Sequence, residues 1–322
     1  MSNVEAAPEE VVCGGDAPAV ELVEPRDVPL GGPRAMTVRR TLPRRARSLI
    51  GAWCFLDHYG PDRVAGTGGM AVPGHPHTGL QTVSWLFEGE IEHRDTTGAH
   101  ALVRPGELNL MTAGRGIAHS EFSTPDTDVL HGAQLWLALP SAHRQTEPAF
   151  EHHVPPQAEV DGSTLRVFLG SLAGERSPVP TYSPLVGAEI VLPGSGRLPL
   201  AITEGFEHGI LVDTGAVTVH GTVAHPGELL YLPPGRSGLE LRAGGDGARV
   251  LLLGGEPLGE RIVMWWNFIG SSHEEIAGYR EQWQDERAGG GTAGGRFGAF
   301  PTAWASTLPA PELPRARLTP RE

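Results

Sequence analysis

Three histidines and one carboxylate between Gly69 and Glu121 stand at spacings that suit a metal ion. His75 and His77 are two residues apart, and so are His119 and Glu121. In an extended strand successive side chains point to opposite faces, so residues i and i+2 share a face and each pair can aim at one point. The residues between the pairs suffice for about three short strands and their turns, which would lay the second pair beside the first across a sheet. A single His-x-His carries little weight in a chain with 14 histidines, where His152-His153 also cluster to no visible purpose. Two such pairs, each behind a glycine-rich turn, carry much more. Three neutral imidazoles and a carboxylate suit iron, copper, nickel, manganese or zinc, and the set does not choose among them. Four protein ligands would saturate a tetrahedral zinc, whereas a six-coordinate ion keeps two positions open.

The elements that must position these residues read as β. Strand-like runs appear at Gln81 to Phe87, Ile91 to Asp95, Ala101 to Val103, Leu108 to Met111 and His131 to Leu139, with glycine or proline turns between them. Forty-four glycines and 29 prolines argue against a helical bundle, and 322 residues at 39% hydrophobic suffice for two domains. The second half echoes the first: Pro105-Gly106-Glu107-Leu108 through Gly114 matches Pro226-Gly227-Glu228-Leu229 through Gly235. Strand patterns at His208 to Asp213, Ala216 to His220 and Ala248 to Leu253 surround the echo, so two similar barrels are implied. At the offset positions the second copy has Ala201, Thr203, Glu240 and Arg242, and so lacks the ligands. His208, His220 and His225 read as ordinary strand or turn residues.

After the second barrel comes one convincing helix. Ser272 and Glu275 form a capping box, with Ile276, Tyr279 and Trp283 on one face and glycines at 289 to 291 as the stop. That face is expected to pack on a barrel. The tail from Gly289 is glycine-rich, then proline-rich, and reads as extended or disordered. The expected fold is all-β: two jelly-roll barrels with a C-terminal helix. Its divisions are a disordered leader (1–25), a metal-binding barrel (26–150), a metal-free barrel (151–270), and the helix with its tail (271–322).

Charge and cysteines exclude some classes. With 25 basic residues against 38 acidic, the net charge of −13 disfavours direct contact with nucleic acid. Six arginines between Arg34 and Ile50 (Arg34, Arg39, Arg40, Arg44, Arg45 and Arg47) read as a solvated edge strand and turn. Cys13, in the leader, and Cys54, in an apolar run, make no disulfide framework. Neither a secretory signal nor a membrane span is visible, so a cytoplasmic, soluble protein is expected; a monomer is the expected state.

The pattern Gly69-x5-His75-x-His77, a strand, then Gly116-x2-His119 resembles the cupin motifs. More narrowly, three strings look like the pirin family: Phe55-Leu56-Asp57-His58-Tyr59-Gly60-Pro61, His75-Pro76-His77-Thr78-Gly79-Leu80-Gln81-Thr82-Val83, and Met111-Thr112-Ala113-Gly114-Arg115-Gly116-Ile117-Ala118-His119-Ser120-Glu121. The resemblance covers about residues 30 to 290. It implies one divalent ion, Fe(II) first, with nickel, copper, manganese, cobalt or zinc as alternatives, held by His75, His77, His119 and Glu121. Some family members are similar to quercetin 2,3-dioxygenases. In such an enzyme a flavonol would bind through its 3-oxygen, Glu121 would double as the base that takes its proton, and dioxygen would add with release of carbon monoxide. The expected walls are Trp85, Met111 and Phe122. His93 and Asp95, also two residues apart, read as structural or at most as neighbours of the ligands, as do His58 and His100. Gln81 stands where the family often has glutamate, and Asn109-Leu110 replaces a common glutamine-tryptophan. Two competing readings are a non-enzymatic, redox-sensing co-regulator that binds a protein partner, as some family members do, and a purely structural bicupin.

Overall fold

The computed structural model describes residues 20–29, 36–66 and 69–321; Cys13, Arg34 and most of the expected leader lie outside them. The N-terminal barrel is built from two sheets. Seven strands run in the order Ala149–His153, Leu108–Thr112, Leu80–Glu88, Val129–Ala138, Trp53–Arg63, Thr37–Leu42 and Arg26–Pro29. Four more, Ala71–His77, Ile117–Ser123, Ile91–Asp95 and His100–Val103, form the second sheet. The C-terminal barrel is a nine-stranded antiparallel sheet with its own apolar interior, which includes Leu165, Ile190, Ile210, Leu230 and Val250. Glu21–Val23 pairs with Leu229–Leu232, so this early strand completes the second barrel rather than the first.

Strand alternation decides what each sheet face meets. In Leu80–Glu88, Val83 and Trp85 point out of the first barrel and join Leu135, Leu137, Leu211, Leu229 and Leu251 in one buried layer between the barrels. Phe168 of the second barrel lies against Trp85, ring centroids 4.6 Å apart. The residues of opposite parity, Ser84 among them, face the barrel interior.

Two expectations change. The runs His208 to Asp213 and Ala216 to His220 form one bent strand, Glu207–Val219, whose register slips between Val212 and Thr214 and again between Gly215 and Val217. Gly215, at φ +74°, lets the chain bulge there instead of turning. The tail, expected to be extended or disordered, packs on the first barrel. Thr307 bridges to Gly74 and Arg321 to Ile262. Phe297 and Ala310 are buried with Ala118 and the helix face, and a side chain at Gly74 would run into the Trp304 ring. The aromatic residues Phe297, Phe300 and Trp304 supply apolar area that the glycine- and proline-rich average conceals.

The helix, His273–Ala288, is capped as its sequence implies. Ser272 accepts from the Glu275 N–H at 3.2 Å, and Ile276, Tyr279 and Trp283 are its buried face. Trp283 also donates from Nε1 to the Leu308 carbonyl at 2.8 Å, which ties the helix to the tail. Trp283→Ala should therefore cost about 3–5 kcal/mol, the usual range for removing a large buried aromatic ring. A urea titration followed by circular dichroism measures it.

Candidate metal centre

The middle strand of the four-stranded sheet organises the site. Ile117–Ser123 lies between Ala71–His77 on one side and Ile91–Asp95 on the other, with His119 opposite His75 and Glu121 opposite His93. The register against Ala71–His77 slips between His119 and Glu121, where Pro73 and Gly74 form a bulge. The result is two overlapping groups that share His119. His75, His77 and His119 bring ring nitrogens within 4.8 Å of one another, and His93, His119 and Glu121 bring ligand atoms equally close. All five side chains are buried.

Their protonation fits a cation. Burial lowers the His75 pKa to about 4 and holds His77 and His119 well below the usual imidazole range, so all three present lone pairs at neutral pH. His75 Nδ1 donates to the Pro73 carbonyl at 2.9 Å, leaving Nε2 as the free acceptor. A hydrogen-bond chain fixes His119 in the same way. The Asp95 carboxylate can only accept, so His93 Nε2–H donates to its Oδ2 at 3.0 Å and His93 Nδ1 becomes an acceptor. His119 Nδ1 faces that ring nitrogen at 3.4 Å, and His119 Nε2 is buried without a hydrogen-bond partner. His77 is buried as well, and the Asn267 backbone acts on its ring. Burial raises the Glu121 pKa, opposed by His93 and by the Ser84 hydroxyl, which donates to Oε1 at 3.3 Å. An orphaned His119 nitrogen, neutral imidazoles and a desolvated carboxylate are a donor set that suits a cation.

Across from this sheet lies a cavity of about 380 Å³, whose far wall comes from the seven-stranded sheet. Phe55 and Trp136 stack there, centroids 4.0 Å apart and 12° from parallel, and Trp136 meets His77 edge-on at 5.2 Å. Ser84 also donates toward Gln134, which lines the same wall. The mouth is roofed by Met264, Trp266 and Asn267 of the hairpin after the second barrel and by Leu308 of the tail.

None of the expected wall residues lies there. Trp85 points into the layer between the barrels, Met111 packs in the apolar cluster beneath Trp136, and Phe122 faces outward beside Glu121, 36% exposed. Each differs from a cavity residue by strand parity or depth. Phe55 and Trp136 are legible in hindsight, each two residues from a polar partner on the same face, Asp57 and Gln134. No local signal marks Leu308. The arginines also differ from a solvated edge. Arg40 lines the cavity, bound to Asp57 through two hydrogen bonds of 2.6 and 2.7 Å, and Arg47 lies over the Tyr231 ring. Gln81 donates to Thr112 at 2.9 Å and does not line the cavity.

A second buried cluster, His58, His131 and Asp213, joins the barrels. Arg39 donates to His58 Nδ1, so Nε2 carries the proton and donates to Asp213 Oδ1 at 2.7 Å. His131 Nε2 lies 2.6 Å from that oxygen, and Arg249 donates to Oδ2 at 2.6 Å. With its nitrogen protonated and two guanidiniums attached, this group is a hydrogen-bonded lock and not a cation site. His100 pairs with Glu92 at the surface. In the second barrel Glu240 and Arg242 pair with each other at the surface.

Residues 35–137 match the Pirin family model, and residues 187–289 match that of the Pirin C-terminal cupin domain. A Pseudomonas aeruginosa protein, provisionally named a quercetin 2,3-dioxygenase, is 45% identical over 92% of this chain and 91% of its own length. A pirin-like protein of Caulobacter vibrioides is 37% identical over 78% and 88%. The solved quercetin 2,3-dioxygenase of Acinetobacter baumannii superposes with a TM-score of 0.85 at 36% identity, over 92% of this chain and 96% of that one.

The lowered histidine pKa values give a pH dependence of stability. The unfolded chain takes up protons below about pH 6.5 that the folded, metal-free site refuses until about pH 4, so stability is full above 6.5 and falls with acidification. Between pH 7 and pH 5 His75 alone should cost about 2 kcal/mol. Urea midpoints of metal-free protein at the two pH values measure the loss, and His75→Asn should reduce it by about that share while His77 and His119 keep the remainder.

Proposed function

The chain belongs to the pirin family of bicupins, and from that premise we propose that it is a metal-dependent oxidoreductase of the quercetin 2,3-dioxygenase type, acting on a flavonol-like substrate with dioxygen. The observation that carries this reading is the shared cavity, with His75, His77, His119 and Glu121 on one wall and the stacked Phe55 and Trp136 on the other. Its size falls in the range of small-molecule pockets, and mostly apolar walls with a few convergent polar groups suit a flat aromatic ligand.

His75, His77, His119 and Glu121 would hold one divalent transition metal, with Fe(II) the first candidate. When bound, the ion supplies Lewis acidity toward the flavonol's 3-oxygen and open positions for the reactants. The chain's own residues do the rest. Trp136, braced by the stacked Phe55, offers the ring system an aromatic surface opposite the histidines. Glu121, whose pKa burial raises, is a stronger proton acceptor than an ordinary carboxylate and takes the 3-hydroxyl proton. Ser84, shared between Glu121 and Gln134, aims that carboxylate. Met264, Trp266 and Leu308 cover the mouth and keep water from the reacting face. The Asp95–His93–His119 chain keeps the His119 lone pair directed into the site.

Metal analysis of protein loaded with iron, nickel or copper should find about one equivalent per chain, lost in a His75→Ala, His119→Ala double variant. Incubation with quercetin under oxygen should bleach the flavonol absorbance and release carbon monoxide. Metal uptake without turnover in any of the three forms would instead favour the non-enzymatic, partner-binding reading. Glu121→Gln separates ligand from base: it should retain part of the metal and lose at least about a hundredfold in turnover, because the amide cannot accept the proton.

A further inference from the structure

The cavity wall carries a cation that the proposed chemistry does not use. Arg40, on Thr37–Leu42, sits directly opposite Asp57 on Trp53–Arg63. Its Nε and Nη2 donate to the two oxygens of Asp57 at 2.6 and 2.7 Å, an edge-on bidentate pair. The guanidinium plane lies over the Phe55 ring, 4.3 Å from its centroid. One edge and one face are therefore committed, and both hold the group still. Among the described residues no hydrogen bond is formed by Nη1. Asp57 is buried at 1% exposure, but the Arg40 side chain keeps 19%, and Arg40 lines the same cavity as His75, His77, His119 and Glu121. A second arginine, Arg26, stands opposite Arg40 on the neighbouring strand and also acts on the Asp57 carboxylate. Asp57 is thus served by two cations, and the free Nη1 edge of Arg40 is not needed to neutralise it.

We infer that Arg40 is a specificity-determining residue, and that its free Nη1 edge binds an oxygen of the aromatic substrate remote from the metal-facing end. The ligand group it selects is a phenolic hydroxyl, phenolate or carbonyl oxygen. The inference rests on the proposed aromatic substrate and names its second recognition point. Phe55 links the two halves of the subsite: Trp136 stacks on one of its faces and the Arg40 guanidinium covers the other, so a planar ligand that meets the Phe55 edge in this cavity comes within reach of Arg40. A hydrocarbon-edged ligand leaves this donor desolvated and unpaired, which is the source of discrimination.

Quercetin and 3-hydroxyflavone share the metal-facing 3-hydroxyl and differ in the hydroxyls at the remote edges. Dissociation constants for both are measured anaerobically on the nickel-loaded full-length protein by quenching of tryptophan fluorescence, and KM and kcat under oxygen. Wild type should prefer quercetin by about tenfold in both Kd and KM, the size of one charge-assisted hydrogen bond. Arg40→Lys keeps the positive charge beside Asp57 but loses the planar second edge, and should bring the ratio of the two Kd values and of the two KM values close to one, by weakening quercetin far more than 3-hydroxyflavone. The double variant Arg40→Gln, Asp57→Asn, which strands no carboxylate, should behave the same way. Equal weakening of both flavonols in these variants, or no preference in wild type, overturns the inference and leaves Arg40 as the partner of Asp57. A preference that shows in Kd while neither flavonol turns over supports the subsite and rejects the oxidoreductase reading.

Discussion

Everything at the centre depends on the pairing of one strand, Ile117–Ser123, with a neighbour on each side. A β-strand shows alternate residues to each face, and pairing sets which residues of the neighbours stand beside them. With His119 opposite His75 and Glu121 opposite His93, four of the five buried polar groups are placed by backbone hydrogen bonds alone. His77 then follows from its position two residues beyond His75. A slip of one residue in either pairing would turn His119 and Glu121 away from the barrel interior and bring Ala118, Ser120 and Phe122 in. The apolar packing prevents that slip, because it would take Ile117 out of its apolar cluster.

The second barrel acts through the other face of the same fold. The outward residues of the seven-stranded sheet, Leu56, Val83, Trp85 and Leu135 among them, share a dry layer with Leu211, Leu229 and Leu251. Beside that layer the Asp213 carboxylate reaches across from the second barrel to His58 and His131 of the first. Burial would raise its pKa, but those two histidines and Arg249 pull it well below the usual carboxylate range. An apolar layer fixes how closely the sheets approach, and the charge cluster that spans the barrels fixes their lateral position. The strands that carry Phe55, Ser84, Gln134 and Trp136 are thereby held rigid from behind.

The sequence revealed period-two features and hid those that arise from chain folding over long distances. The strand Ile91–Asp95, the histidine pairs and the helix face Ile276, Tyr279 and Trp283 were all legible, because each follows from the spacing of residues within one element. The repeat between Pro105 and Pro226 was legible because turn and strand recur in the same order. The cavity wall was not. Trp85 and Phe122 are as apolar as Phe55 and Trp136, and only parity relative to an unseen sheet separates them. Arg40 was hidden by its neighbours: six arginines in a short stretch suggest a solvated face, whereas cross-strand pairing sends Arg39 to His58 and Arg40 to Asp57. Leu308 reaches the site through tertiary packing of a tail whose composition resembles that of a linker.

That tail determines what kind of site this is. The two sheets of the first barrel would by themselves leave the histidines at an open mouth. The hairpin carrying Met264 and Trp266, and the segment that sets Trp304 against Gly74 and Leu308 beside the cavity, narrow it. Closure removes water, and water is what would otherwise solvate a charge on His75, His77 or Glu121. The same burial therefore makes the imidazoles neutral ligands and makes the Glu121 carboxylate costly to ionise without a cation nearby. The two effects favour one occupant. A metal cation accepts the lone pairs and offsets the carboxylate charge together, whereas a proton can serve Glu121 but leaves the buried His119 Nε2 without a partner. Selection of a cation thus comes from the C-terminal segments as much as from the ligands, although none of those segments contributes a ligand itself.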